Sequence, residues 1–227
     1  MQTLTLFFIE TMRGQVVMTD RMDEEYSISL LSMPEQKSAQ IITKRFQAGG
    51  QQGQTRPMVW QDLAIAVQNK PIDGAGGLAG VINAGAIRID GLATEPLVIK
   101  QGKFSLLSIT AQGERCMRYQ LDCQARDGQR FLLYGFKCIS NSRGRLLPLT
   151  VWRETTTLYV VICALGEQGA PTALVATGMM HIHPLDLLKQ LLTLRSRGVA
   201  GQLAHLRNLA SFGRFFTAGL VEVYWKK

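Results

Sequence analysis

One carboxylate, a pair of imidazoles and four thiols are the side chains here whose type and placement could do chemistry. Glu10 stands inside the apolar run Leu6-Phe7-Phe8-Ile9-Glu10-Thr11-Met12. A carboxyl buried in such a run has its pKa raised and can act as a general acid or base. The alternatives are a basic partner or a place on the solvent face, and Glu154, beside Trp152 and Arg153, admits the same readings. His181 and His183 lie two apart, a spacing that on a strand aims both rings at one face. Two imidazoles can begin a metal site, but a third and usually a fourth ligand must join them. The remaining histidine is His205, so no metal is assigned and the pair reads as solvated residues at a strand end.

The thiols Cys116, Cys123, Cys138 and Cys163 contain no C-x-x-C and no finger spacing, and they read as buried and reduced. Gly74 to Gly80 carries a G-x-G-x-x-A string, which binds a dinucleotide only between a strand and a helix. Here Pro71-Ile72-Asp73 precedes it and the β-like Val81-Ile82 follows, so it reads as a linker. There is no Gly-x-Ser-x-Gly elbow and no Cys–His pairing that sequence can nominate. No catalytic residue and no cofactor are assigned. Glu10, His181 and His183 are the candidates should the chain be a small hydrolase or isomerase.

The elements that would position these residues are mainly strands. Leu4 to Val17 is dominated by β-formers, and Tyr26–Leu30 alternates with period two. Val59–Val67, Gly85–Asp90 and Met117–Cys123 continue the pattern, and Pro96–Leu107 reads as strand, turn, strand around Gln101-Gly102. Asp127-Gly128 marks a tight hairpin into Phe131–Phe136, and Thr155–Ile162 is the most β-rich window. Residues 34–57, rich in Gln, Gly and basic side chains, read as a mobile loop. Leucines at helical spacing after Pro184 predict a helical segment over about 185–211, and Leu220–Trp225 a closing strand. The expected fold is an antiparallel β-barrel or sandwich.

Sliding the chain on itself aligns Gly85–Leu92 with Gly178–Leu185, and more loosely Phe7–Gly14 with Leu132–Ile139 and Tyr26–Leu30 with Leu158–Ile162. That predicts one globular unit of two pseudo-repeated halves, about 1–110 and 111–227.

Composition sets the outer limits. At 227 residues, 46% hydrophobic and 19% charged, the chain is an ordinary globular protein with no need of a staple. No apolar run reaches the length of a membrane span, and Glu10 sits where a signal peptide would be apolar, so a cytoplasmic location is expected. Net charge is +8, and residues 184–227 hold seven Lys/Arg against Asp186 and Glu222. A face formed by Lys189, Arg195, Arg197, Arg207 and Arg214 could meet an anionic membrane surface or an acidic protein; nucleic acid is disfavoured.

Several strings carry a family resemblance. Phe8-Ile9-Glu10-Thr11-Met12-Arg13-Gly14 resembles an F-x-E-x-M-x-G string, followed in order by Met117–Leu121, Gly135-Phe136-Lys137, Thr155–Leu158, Asp186–Leu191 and Phe212–Phe216, with Tyr224 near the end. Together they resemble an accessory β-rich module of large bacterial proteins that also carry glucose–methanol–choline-type (cholesterol-oxidase-like) oxidoreductase or α/β-hydrolase domains. The resemblance implies a non-catalytic companion in lipid or sterol metabolism, binding a hydrophobic ligand or a partner enzyme. Its catalytic residues belong to the neighbouring domains, so none carries over.

Overall fold

Along the first strand Leu6, Phe8, Met12 and Val16 turn one face inward, with Glu10 among them, and strands of that alternation close a sheet on itself. The computed structural model describes residues 5–19, 29–71, 77–139, 156–183, 186, 193–197 and 214. In chain order the elements are β1 (Thr5–Met18), α1 (Glu35–Gln51), β2 (Thr55–Pro71), β3 (Leu78–Ile89) and β4 (Leu97–Ile109). Then follow β5 (Arg115–Gln124), β6 (Arg130–Ile139), β7 (Thr157–Leu165), β8 (Pro171–His181) and the short β9 (Arg195–Arg197). Strands β1 to β8 pair antiparallel with their sequence neighbours, and β8 returns to pair with β1. The fold is a closed eight-stranded up-and-down barrel, not a sandwich, with β9 added on the free edge of β1.

Barrel closure fixes a stagger, because strands must tilt for their hydrogen bonds to meet. Following the pairs Leu6–Val67–Gly80–Phe104–Tyr119–Gly135–Val160–Gly178–Val16 once round the wall returns to β1 ten residues further on. That exceeds the stagger of eight in a parallel β/α barrel core, so the strands tilt more and the lumen is wider. Gly14 and Gly178 face inward where β1 meets β8. A Cβ at Gly14 would strike the Met179 carbonyl, and one at Gly178 would lie 2.9 Å from the Val16 Cα. Glycine there lets the two backbones approach closely enough to close the barrel.

Three hairpins share one five-residue turn. Gly113, Gly128 and Gly169, at φ of 79°, 92° and 77°, join β4–β5, β5–β6 and β7–β8. The Asp127-Gly128 signal is therefore read correctly, as a turn that closes on the Ala125 and Gln129 backbone.

The stretch 34–57 is not a mobile loop. Glu35–Gln51 forms α1, and β2 begins at Thr55. Its Gln, Lys, Arg and Ala residues are good helix formers, and Glu35 in the first turn suits the helix dipole. Gly49, which looks like a helix breaker, sits against the Val17 methyls, where a Cβ would come within 2.5 Å. Ile42 and Leu30 pack with Phe136, Val161, Cys163 and Leu174 on the outer face of the wall. Strands β6 to β8 are thus covered on both faces, which explains why Thr157–Leu165 reads as nearly continuous apolar sequence. Arg118 on β5 holds the start of α1 through Glu35, with Nε 2.6 Å from Oε1.

Other expectations need correction. Residues 29–32 make a helical turn, so the Tyr26–Leu30 strand is absent in its described part. β4 runs unbroken through Gly102, where the wall bends against Ile82 and the predicted turn does not form. Within 185–211, Arg195–Arg197 is strand and not helix; most of that segment and Leu220–Trp225 lie outside the described residues. The segments aligned as a repeat fall on β1 with β6 and β3 with β8. Those strands run in opposite directions in this barrel. No helix among the described residues is long and apolar enough to cross a membrane.

Two glycines should respond oppositely to an added methyl. Gly50 in α1 has open space around its would-be Cβ. Gly50→Ala is expected to stabilise by about 0.5–1 kcal/mol through helix propensity. Gly178→Ala should destabilise by roughly 1–3 kcal/mol through overpacking against β1. Urea melts of both variants against the parent check the signs.

Candidate functional site

In an eight-stranded ring, strands four apart stand opposite one another, so their large side chains meet across the lumen. β1 faces β5 in this way, and β2 faces β6. Glu10 on β1 is fully buried, and its Oε2 accepts a hydrogen bond from the Tyr119 hydroxyl of β5 at 2.8 Å. Its other oxygen, Oε1, lies 2.9 Å from Nζ of Lys137, which projects inward near the end of β6. Both charged side chains are 2% exposed, so this is an ion pair in the core and not on the surface. The Lys137 ammonium also stands 5.3 Å over the Tyr119 ring.

Trp60 on β2 makes the second crossing. Its indole reaches Gly135 of β6, where a Cβ would lie 3.0 Å from the ring, and packs edge-on against Tyr119 with centroids 6.0 Å apart. Tyr119 in turn meets Phe104 at 4.9 Å, and Phe104 meets Phe8 at 6.1 Å. An aromatic chain therefore runs from the crossing point to the inner face of β1. The Trp60 Nε1–H is buried and has no hydrogen-bond partner among the described residues. Orphan donors of this kind are uncommon in a core.

A β-bulge aims these groups. Between the pairs Glu10–Leu63 and Met12–Trp60 one residue of β1, Thr11, faces two of β2, Gln61 and Asp62. Asp62 takes a positive φ of 51°, its N–H donates to Thr11 Oγ1 at 3.0 Å, and its carboxylate accepts the Thr11 hydroxyl at 3.2 Å. The extra residue turns both Trp60 and Leu63 inward beside Glu10.

β8 ends at His181 opposite Arg13, and β9 pairs with Thr5–Phe7, so among the described residues Phe8–Met12 has no strand partner on that edge. The Ile9 N–H donates instead to Thr193 Oγ1 at 3.0 Å. Ile182 and Leu194 pack on the barrel core at this edge, and Arg13 pairs with the buried carboxylate of Asp186. Here a pocket of about 390 Å3 opens, lined by Phe7, Phe8, Ile9, Ala64, Ile65, Thr193 and Arg195. Phe8 and Ile65 are buried in the barrel core and pair with one another across β1 and β2, so the pocket lies on the outer face of the wall, where Phe7, Ile9 and Ala64 present their side chains.

No family model, curated protein or solved structure matches the chain.

The remaining sequence candidates scatter. His181 and His183 are both exposed, and His181 Nδ1 lies 3.1 Å from Thr157 Oγ1 with its pKa lowered by partial burial. Glu10 is inside the barrel and His181 outside, so the structure does not bring together the pair that hydrolase or isomerase chemistry would need. No group of three or more His, Cys, Asp or Glu among the described residues is placed to hold a metal. Cys116, Cys123 and Cys163 are buried and form no disulfide, and burial, with Asp122 beside it, pushes the Cys123 thiol up to about 12. Gly77 leads directly into strand β3, so no helix follows the glycine string. Arg195 and Arg214 are exposed and Arg197 lies in β9. The side chain of Cys138 and all of Glu154, Lys189, His205 and Arg207 lie outside the described residues.

Sequence reading missed Lys137, Tyr119 and Trp60. A signal for Lys137 was available: Leu133, Gly135 and Lys137 share one strand face, and a lysine there matches an inward carboxylate elsewhere.

Two outcomes follow from this cluster. Removing one member of the ion pair strands its partner in the core. Glu10→Gln or Lys137→Met alone should therefore cost roughly 3–5 kcal/mol. The Glu10→Gln/Lys137→Met double variant should cost clearly less than the two singles together, as measured by a double-mutant cycle of urea melts. The second outcome concerns alkaline pH. Burial, then the charge and hydrogen bond of Glu10, hold the Tyr119 phenol well above its usual range. Burial, then Glu35, push Tyr134 up to about 12. The folded state keeps these protons longer than the unfolded chain does, so their stabilisation is complete below about pH 10 and is lost as pH rises through the folded values. The urea midpoint should fall as pH rises above about 10, less steeply in Tyr119→Phe.

Proposed function

We propose that this barrel is a non-catalytic module that binds a small hydrophobic molecule in a groove on the outer face of its wall. The observation that carries the reading is the pocket over β1, β2 and residues 193–195, apolar on most of its surface and walled by Phe7, Ile9 and Ala64. Its volume of about 390 Å3 lies in the range of small-molecule sites, which combine apolar walls with a few polar groups. Here Glu10, Lys137, Tyr119 and Trp60 fill the crossing point, and the space left for a ligand is at the wall. Resemblance to an accessory module beside lipid- and sterol-processing domains fits a role in handling a hydrophobic compound for a partner enzyme.

Calorimetric titration with 1-decanol tests the reading on the full chain. Saturable binding with one site is expected. Ala64 is half-exposed and lines the pocket, so Ala64→Trp should fill it and abolish binding with little change in the urea midpoint. Binding undiminished in Ala64→Trp, or none in the parent, would overturn the assignment.

A further inference from the structure

The pocket has one charged group on its lining, and no carboxylate among the described residues matches it. Arg195 on β9 is exposed and borders the apolar surface formed by Phe7, Ile9 and Ala64. Arg13, further along β1, is by contrast paired with Asp186. Glu10 is the nearest acid along β1, but both its oxygens are occupied by Lys137 and Tyr119 inside the barrel. Asp62 on β2 is engaged by Thr11. A guanidinium at the rim of an apolar pocket is a fork for one planar anion whose remainder is hydrocarbon. The chain carries a net charge of +8, which favours the approach of anions over cations.

We infer that the ligand is a monocarboxylate with an apolar tail, its carboxylate held by Arg195 at the rim and its tail against Phe7, Ile9 and Ala64. The inference rests on the pocket reading above and names the chemical class of its ligand. Thr193 contributes little to the head group, because its Oγ1 already accepts the Ile9 N–H and can offer only its hydroxyl proton. The burial of apolar tail supplies most of the affinity, and the carboxylate supplies the choice among tails of equal length.

Decanoate and 1-decanol, equal in chain length and different in head group, separate the two claims. By calorimetry at low salt, decanoate should bind the parent about five- to tenfold more tightly than 1-decanol. Added sodium chloride should erode that preference while leaving 1-decanol unchanged. Arg195→Gln should bring decanoate down to the level of 1-decanol, and Arg195→Lys should restore part of the gap through charge without the fork. Equal binding of the two probes to the parent, or a preference that survives Arg195→Gln, would overturn the carboxylate inference and leave the pocket reading standing. Binding of neither probe would overturn both.

Discussion

A lysine and a glutamate cannot enter a protein interior separately. Moving either ion out of water alone costs several kcal/mol, whereas a close, hydrogen-bonded pair recovers much of that cost. The Glu10–Lys137 bridge is therefore a constraint on the whole barrel. It demands that β1 and β6 lie at one stagger only, because a slip of one residue on either strand would turn its charge to the outside. Tyr119 completes the arrangement by occupying the second carboxylate oxygen, so that Glu10 keeps neither lone acceptor unmatched. A core of aliphatic residues alone would tolerate small shifts of register; this core does not.

Around that bridge the lumen is divided by size. Trp60 of β2 reaches across to Gly135 on the opposite wall, and Gly178 lets β8 lie close against β1. Large residues on one side and small ones on the other let a wide, strongly tilted barrel close without leaving its centre empty. The same tilt leaves β1 longer than its neighbour β8. Among the described residues, that further stretch of β1 is met by β9 at one end and by Ile182, Thr193 and Leu194 beside it.

Much of the wall was legible in the chain, because period-two alternation survives wherever one strand face is buried and the other solvated. The hairpin at Asp127-Gly128 was legible for a related reason: the turn needs a positive φ, and Gly128 supplies it. The failures have equally definite causes. Glycines, glutamines and charges in 34–57 gave the composition of a loop, yet Gly49 serves close packing on Val17 and the remaining residues favour helix. Gly102 looked like a turn residue, but its role is to let β4 pass close to Ile82. In both places glycine marks a near neighbour in space, and a sequence does not record which neighbour that is.

The sequence by itself determined a mainly β architecture, most of its strands, and the anomaly of a carboxylate at Glu10 within an apolar strand. Those are local properties, set by side-chain alternation and turn chemistry over a few residues. Tertiary structure decided what Glu10 is for. Lys137 lies 127 positions away in the chain and Tyr119 lies 109 away, and only a closed ring that sets β1 against β5 brings them within hydrogen-bond reach. The pocket was decided in the same way, since outward side chains of β1, β2 and β9 become neighbours only once the ring has closed.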